Sequence, residues 1–259
     1  MPDYRTVAVA AAQQAGKIII DACGAEFVVD YKQGALTNMV TEVDRRSEQA
    51  IVEIVLATFP DHQILAEEGS EGPNQHSPYR WIVDPLDGTT NFTHGFPAFC
   101  VSIGLEVEGH LVLGVVYDPL RQELFEAEIG KGASLNGQRI HVSQVPALNT
   151  ALLVTGFAYD QESRQRNLEY FSRFVLASQG LRRTGSAALD LAYVAAGRVD
   201  GFWELMLAPW DVAAGSLIVT EAGGRVTGFA GNAFSLDSAE TLASNGLIHD
   251  EMVTLLTGH

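Results

Sequence analysis

An α+β fold is predicted for this chain by three observations. In the first half, apolar runs at 98–107, 111–117 and 123–128 are punctuated by Glu108-Gly109 and Asp118-Pro119, which spells an antiparallel meander. In the second half, short apolar strands alternate with helical patterns, which argues a mixed sheet covered by helices. The chain is also long enough, at 259 residues and 47% hydrophobic, to bury one large core or two modest ones. The best boundary is Gln-Val-Pro-Ala-Leu-Asn-Thr at 144–150, dividing the chain into halves 1–145 and 146–259.

Taken in order, residues 3–23 are rich in Ala, Val and Ile and read as a partly buried helix stopped by Gly24. Residues 27–31 predict a strand before Gly34, and Thr37-Asn38-Met39-Val40 leads into a second helix. Thr41 is its expected N-cap, Asp44 lies three residues on, and Ala50, Ile51, Ile54 and Val55 form the apolar face that ends near Phe59-Pro60. A strand at 63–66 ends in Glu67-Glu68-Gly69, a loop fills 71–79, and Trp81-Ile82-Val83 reads as the end of a buried strand that leaves its sheet at Asp84-Pro85. His94-Gly95-Phe96-Pro97 makes a turn. Lys131-Gly132-Ala133-Ser134-Leu135-Asn136-Gly137 lacks the order of a nucleotide loop, and Asn136-Gly137 makes it a hairpin.

Beyond the boundary, a strand at 151–155 is followed by a helix at 162–178 with Leu168, Phe171 and Val175 expected inward. Next come a strand at 180–183, a helix at 185–196 whose alanines allow close packing, a strand at 199–203, and a helix at 211–222 closed by Gly223-Gly224.

Composition excludes several classes of function. A net charge of -16, from 32 acids against 16 bases, opposes general binding to nucleic acid or anionic membranes. No apolar run approaches a membrane span, and the N-terminus lacks a signal-peptide pattern, so a cytoplasmic location is expected. Cys23 and Cys100 have neither disulfide-framework nor zinc spacing and read as buried thiols. His141 could be a ligand or simply a structural strand residue.

The chemistry concentrates in Asp84-Pro85-Leu86-Asp87-Gly88-Thr89-Thr90-Asn91-Phe92. Pro85 fixes its own φ and biases Asp84 toward extended backbone, while Gly88 permits angles that a side chain resists. Spaced i, i+3 across this turn, Asp84 and Asp87 can face one side, which suits a hard divalent cation. Gly88, Thr89, Thr90 and Asn91 look like the first turn of a short helix, whose free N–H groups suit an anion. Asp-Pro-x-Asp-Gly is equally a common turn. Glu67 stands 17 residues before Asp84, and each follows an apolar strand, so neighbouring strand ends could aim both into one crevice. Asp44 and Asp211 also have a plainer role, as acids in the first turn or at the cap of a helix.

The long motif resembles the signature of the inositol monophosphatase family of metal-dependent small-molecule phosphatases. Pro209-Trp210-Asp211-Val212-Ala213-Ala214-Gly215 is similar to that family's second signature, and the likeness runs along nearly the whole chain. It is closest at Leu181-Arg182-Arg183-Thr184-Gly185-Ser186-Ala187-Ala188-Leu189-Asp190, where the sequence looks like the bacterial SuhB-type inositol monophosphatases. Two departures stand out: Ala66 replaces the Gly before the paired glutamates, and Leu205-Met206-Leu207 replaces smaller residues after Glu204.

The resemblance implies a layered αβαβα sandwich, a homodimer and Li⁺ inhibition. It implies two or three Mg²⁺ on Glu67, Asp84, Asp87, Asp211 and the Leu86 carbonyl, phosphate on Gly88, Thr89 and Thr90, and catalysis by Glu67, Thr89 and Asp44 through in-line attack of a metal-activated water. In that scheme the Thr89 hydroxyl is hydrogen-bonded to Glu67. Substrate contacts fall to Asp87, Gly185, Ser186, Ala187, Glu204 and Asp211. The implied substrate is myo-inositol 1-phosphate or a related polyol phosphate, and Thr90, where other branches carry Lys, favours that assignment. The alternatives are a broader sugar-phosphate phosphatase, acting for example on fructose 1,6-bisphosphate, and a SuhB-like protein-binding role in transcription antitermination. For the latter, Arg182-Arg183 could serve the interface or simply form a salt-bridged strand end.

Overall fold

The computed structural model describes residues 3–25, 28–31 and 39–258. Phe27, Gly34, Thr37 and Asn38, named in the expectations above, lie outside the described residues. Helix α1 (Tyr4–Ala22) starts where the Asp3 carboxylate accepts the Thr6 N–H at 2.7 Å. Short strands β1 (Val29–Tyr31) and β2 (Met39–Thr41) pair antiparallel and lead into α2 (Glu42–Thr58). A seven-stranded sheet follows, built from β3 (Gln63–Ala66), β4 (Tyr79–Asp87), β5 (Cys100–Val107), β6 (His110–Asp118), β7 (Glu123–Glu128), β8 (Gly132–Leu135) and β9 (Gln138–Arg139) in sequential order. The short helix α3 (Thr89–Thr93) interrupts it after β4.

The meander forms as expected because its turns are specific. Glu108 (φ 52°) with Gly109 (φ 78°), and Asn136 (φ 50°) with Gly137 (φ 77°), supply the paired positive φ that two-residue hairpins need. The first pairing, β3 with β4, is parallel and sets Ala66 beside Val83. Glu67 and Asp84 therefore leave neighbouring strand positions side by side.

A second sheet, in the order β11-β10-β12-β14-β13, is formed by β10 (Leu152–Thr155), β11 (Gly180–Arg182), β12 (Gly201–Leu205), β13 (Arg225–Thr227) and β14 (Glu240–Ser244). Its helices are α4 (Gln161–Ala177), α5 (Ala187–Ala195), α6 (Pro209–Glu221) and α7 (His249–Thr257). One apolar core joins α1 and α2 to the first sheet, a second places α5 and α6 between the sheets, and a third packs α4 and α7 on the outer face. The result is the expected five-layered αβαβα sandwich. The stretch 144–150 lies between the two sheets, yet Ile82, Cys100, Val116 and Phe125 share one core with Ala188, Leu191, Ala214 and Ile218.

Four expectations are corrected. β4 does not end at Val83 but continues to Asp87, with a register shift between Asp84 and Asp87. The buried face of α4 is Asn167, Tyr170 and Phe174, while Leu168 and Val175 are 48% and 50% exposed. Hydropathy missed this because the core position is polar: Asn167 donates to the Gly156 carbonyl at 2.5 Å and accepts from Trp203 Nε1 at 2.8 Å. Cys23 is exposed at the end of α1, whereas Cys100 is buried. His141 is exposed and lies beyond β9 rather than on a strand.

α6 sits unusually close to the first sheet. A Cβ at Gly114 would stand 2.6 Å from the Ala214 carbonyl oxygen, and one at Gly104 would stand 2.9 Å from Ala213 Cβ. Glycine is required there for space, so that helix backbone can rest on strand backbone. Gly114→Ala is expected to destabilise the protein by about 1–3 kcal/mol through overpacking. A chemical-denaturation midpoint equal to the native one would refute this.

Candidate active site

The register shift in β4 creates the site. Asp84 pairs with Ser102 and Asp87 with Cys100, so two residues of β4 oppose one of β5. In a regular strand, residues three apart face opposite sides; the extra residue cancels that alternation and turns both carboxylates to one face. Pro85 is tolerated because it has no N–H to leave unpaired at such a bulge. Asp84 Oδ1 accepts the Leu86 N–H at 3.0 Å, which holds the bulge closed.

Asp211 arrives from the other side. It is the third residue of α6 after Pro209, and its carboxylate accepts the Ala208 N–H at 2.7 Å. Its capping role and its place in the cleft are thus compatible. One carboxylate oxygen from each of Asp84, Asp87 and Asp211 falls within a group no wider than 4.8 Å. Burial pushes the Asp84 and Asp211 carboxyls well above the usual range, and neighbouring negative charges push further. Asp87 is raised by burial to about 6, restrained by hydrogen bonds from Ser186 and the Ala188 N–H. Glu67 lines the same cleft, and its charge acts on all three.

The cleft encloses about 240 Å³ between the sheets. Besides Glu67 and the three aspartates, it is lined by Leu86, Gly88, Thr89, Thr90, Gly185, Ser186, Ala187 and Glu204, so the expected site residues other than Asp44 all reach it. Gly88 has φ 96°, and a Cβ there would come within 2.9 Å of the Ala98 carbonyl oxygen. Only glycine fits this turn.

Asp44 lies behind the cleft wall. Thr41 and Asp44 form a capping box, with Thr41 N–H on Asp44 Oδ2 at 2.9 Å. The opposite oxygen, Oδ1, accepts the Thr89 hydroxyl at 2.9 Å. That hydroxyl also reaches the Leu86 carbonyl at 3.1 Å, so the expected bond to Glu67 is corrected to Asp44 and Leu86. Burial raises the Asp44 carboxyl, opposed by its bonds from Thr41 and Thr89.

Ser186, expected to touch substrate, is buried and donates to Asp87 Oδ2 at 2.6 Å; the Ala188 N–H joins it at 2.7 Å. The start of α5 thus positions Asp87. Asn91 Nδ2 donates to the Ala98 and Thr184 carbonyls at 2.6 and 2.8 Å, tying α3 to the loop before α5. Glu48, one turn after Asp44, accepts the N–H groups of Glu68 and Ser70 at 2.7 and 2.9 Å and so shapes the turn that carries Glu67.

Asn91 was read from sequence only as part of the first turn of the short helix, Glu48 was not singled out, and neither were Arg183, Phe157, Tyr159 and Met206 as cleft residues. Asp44 offered a clue to Glu48, since i and i+4 share a helix face. Arg183 lines the cleft rather than closing a strand-end salt bridge, and Arg182 turns back to the Leu181 carbonyl at 2.9 Å.

A bulged strand end and the start of α6 thus gather carboxylates into a cleft between layered sheets, an arrangement that can hold a hard divalent cation. The model of the inositol monophosphatase family matches residues 2–258, and the chain belongs to that family. It is 48% identical over 222 residues to an inositol-1-monophosphatase of Synechocystis sp., covering 85% of this chain and 77% of that protein. It is 43% identical over 264 residues to the Nus factor SuhB of Pseudomonas aeruginosa, covering 100% of this chain and 97% of that one. Among solved structures, the extragenic suppressor protein suhB from Bartonella henselae superposes with a TM-score of 0.93 at 41% identity, covering 97% of both chains. The Thermotoga maritima IMPase gives 0.91 at 38% identity, over 99% of this chain and 98% of that one. Among the described residues, no helix is long and apolar enough to cross a membrane.

Glu204 is buried in the cleft and its carboxyl is pushed up to about 8 by burial first and then by the charge of Asp190. An unfolded Glu titrates near 4.5, so between that pH and about 8 the native state holds a proton that the unfolded chain has lost. This group's contribution is fully present below pH 4.5 and is lost as pH rises through about 8. In chelator, native stability should fall across this window with a slope from this group approaching 1.4 kcal/mol per pH unit, roughly, and Glu204→Gln should remove that slope. Urea midpoints between pH 5 and 8.5 that fall equally in both proteins would contradict the assignment.

Proposed function

We propose that this protein is a Mg²⁺-dependent phosphomonoesterase that hydrolyses myo-inositol 1-phosphate and related polyol phosphates. The observation that carries this reading is the group of three carboxylates, the buried Asp84 and Asp87 and the half-buried Asp211, within 4.8 Å of one another. Their donor set is entirely hard oxygen, with no His or Cys, which fits Mg²⁺ rather than zinc. Burial and mutual repulsion raise all three carboxyls, and a divalent cation held among them would offset both effects. Glu67 and the Leu86 carbonyl, on the same cleft, complete the candidate ligands. When bound, the metal supplies charge neutralisation for the phosphoryl group and acidifies water.

The chain's own residues do the rest. Gly88, Thr89 and Thr90 hold phosphate oxygens on one wall of the cleft. Thr89 commits its proton to Asp44 Oδ1, which leaves Oγ1 as an acceptor for a proton of the attacking water. Asp44 receives the relayed proton, and its raised carboxyl suits that task. Glu204, carrying a proton near neutral pH, can both donate to and accept from a sugar hydroxyl, while Asp211 accepts. Gly185 and Ala187 shape the wall beside them. A cytoplasmic, homodimeric and Li⁺-sensitive enzyme is the form this reading gives the protein.

Phosphate release should be measured on myo-inositol 1-phosphate, fructose 1,6-bisphosphate and adenosine 3′,5′-bisphosphate, with Mg²⁺ and with chelator. The inositol ester should be the best of the three, chelator should abolish turnover, and Asp84→Asn should lower kcat by about a hundredfold or more. Equal turnover on fructose 1,6-bisphosphate would shift the reading to a broader sugar-phosphate phosphatase. A second reading is favoured by the full-length similarity to the protein named Nus factor SuhB: a protein-binding role in transcription antitermination. It predicts that the Asp84→Asn protein loses hydrolysis yet still binds antitermination factors in a pull-down with purified components.

A further inference from the structure

The alcohol side of the cleft carries a wall that neither the acid group nor the phosphate turn requires. β12 runs buried through Glu204 and Leu205 and then meets Met206, whose φ of 60° lies in the left-handed region that favours glycine. The Met206 N–H is held on the Ala239 carbonyl at 2.7 Å, so the residue just before β14 helps fix this conformation. A large side chain therefore occupies a position whose backbone disfavours one. Its thioether is not tucked into the core: Met206 is 58% exposed and lines the cleft.

Beside it, in the segment that follows the parallel neighbour strand β10, Phe157 and Tyr159 add further apolar surface to the cleft lining. Phe157 rests against Phe171 of α4 with ring centroids 6.0 Å apart. Tyr159, also 58% exposed, directly precedes Asp160, whose carboxylate accepts the Ser163 N–H at 2.8 Å and so pins the loop to the start of α4. The same cleft thus combines carboxylates and the phosphate turn with a thioether, aromatic rings and Leu207.

A fully hydroxylated polyol gains little from such a wall, because every ring face it presents is partly hydrated. An alcohol with an apolar or aromatic face removes that face from water against both surfaces. Resting on the phosphatase reading above, we propose that Met206 and Tyr159 are specificity-determining residues that extend the substrate range to phosphate monoesters of alcohols bearing an apolar or aromatic face.

The test compares kcat/KM for 2-phenylethyl phosphate and myo-inositol 1-phosphate in the Mg²⁺-loaded protein. Both esters release an alkoxide, and the ratio between native and variant cancels any remaining difference in intrinsic reactivity. Met206→Gly keeps the fold accessible because glycine adopts φ 60° freely. In Met206→Gly or Tyr159→Ser the phenylethyl-to-inositol ratio should fall about tenfold, chiefly through a higher KM for the phenylethyl ester. Leu176→Ser, at an exposed position of α4 away from the cleft, should leave the ratio unchanged. Ratios within about twofold of native in both cleft variants overturn the inference. Turnover of the inositol ester without turnover of the phenylethyl ester overturns it alone, whereas turnover of neither by the native protein overturns the phosphatase reading and the inference with it.

Discussion

One extra residue in β4 governs this structure. Without it Asp84 and Asp87 would point to opposite faces of the sheet and could not both enter the cleft. With it they share a face with Asp211, and three like charges are forced together in a buried place. That crowding opposes folding, so the surrounding contacts must hold it. Asp84 is bonded to its own bulge, Asp87 to the first turn of α5, and Asp211 to the first turn of α6. Each acid is oriented by backbone N–H groups, which cannot swing away as a side chain can.

The parts of this arrangement that were legible in the sequence are those specified by local chemistry. Glu108-Gly109 and Asn136-Gly137 announce hairpins because few residues accept paired positive φ, and Thr41 with Asp44 announces a helix start. Asp84, Asp87, Glu67 and Asp211 each had a plainer reading as turn, loop or cap residues, and it was the resemblance of the long motifs around them that singled them out. What failed depended on partners distant in the chain. The inward face of α4 was misjudged because Asn167 is satisfied by Trp203 and Gly156, a fact that no local pattern contains. The partner of Thr89 was misassigned for the same reason, since Asp44 is 45 residues away. Beyond Gly224, the strands β13 and β14 and helix α7 were not anticipated; β13 is only three residues long, too short for a period to show.

α2 shows how a helix can serve a site from behind. Asp44 and Glu48 lie one turn apart, and both are buried. The first accepts the hydroxyl of Thr89; the second accepts two N–H groups from the turn after Glu67. The spacing of a single helical turn thus links two catalytic candidates, Thr89 and Glu67, that follow different strands. Neither carboxylate needs to reach the cleft itself for this to matter.

The ends of α6 are also anchored in different ways. Its first turn bears Asp211, and near its end Glu221 accepts the N–H groups of Gly130 and Gly132 in the turn between β7 and β8, at 2.8 and 2.7 Å. Between these ends the helix lies on Gly104 and Gly114 and receives Leu191 against Gly215, with no side-chain cushion that could compress. At 13 residues it is a rod about 20 Å long. A hairpin on the far surface and an acid in the cleft are therefore joined by a strut, and their separation is a property of helix pitch rather than of any deformable path.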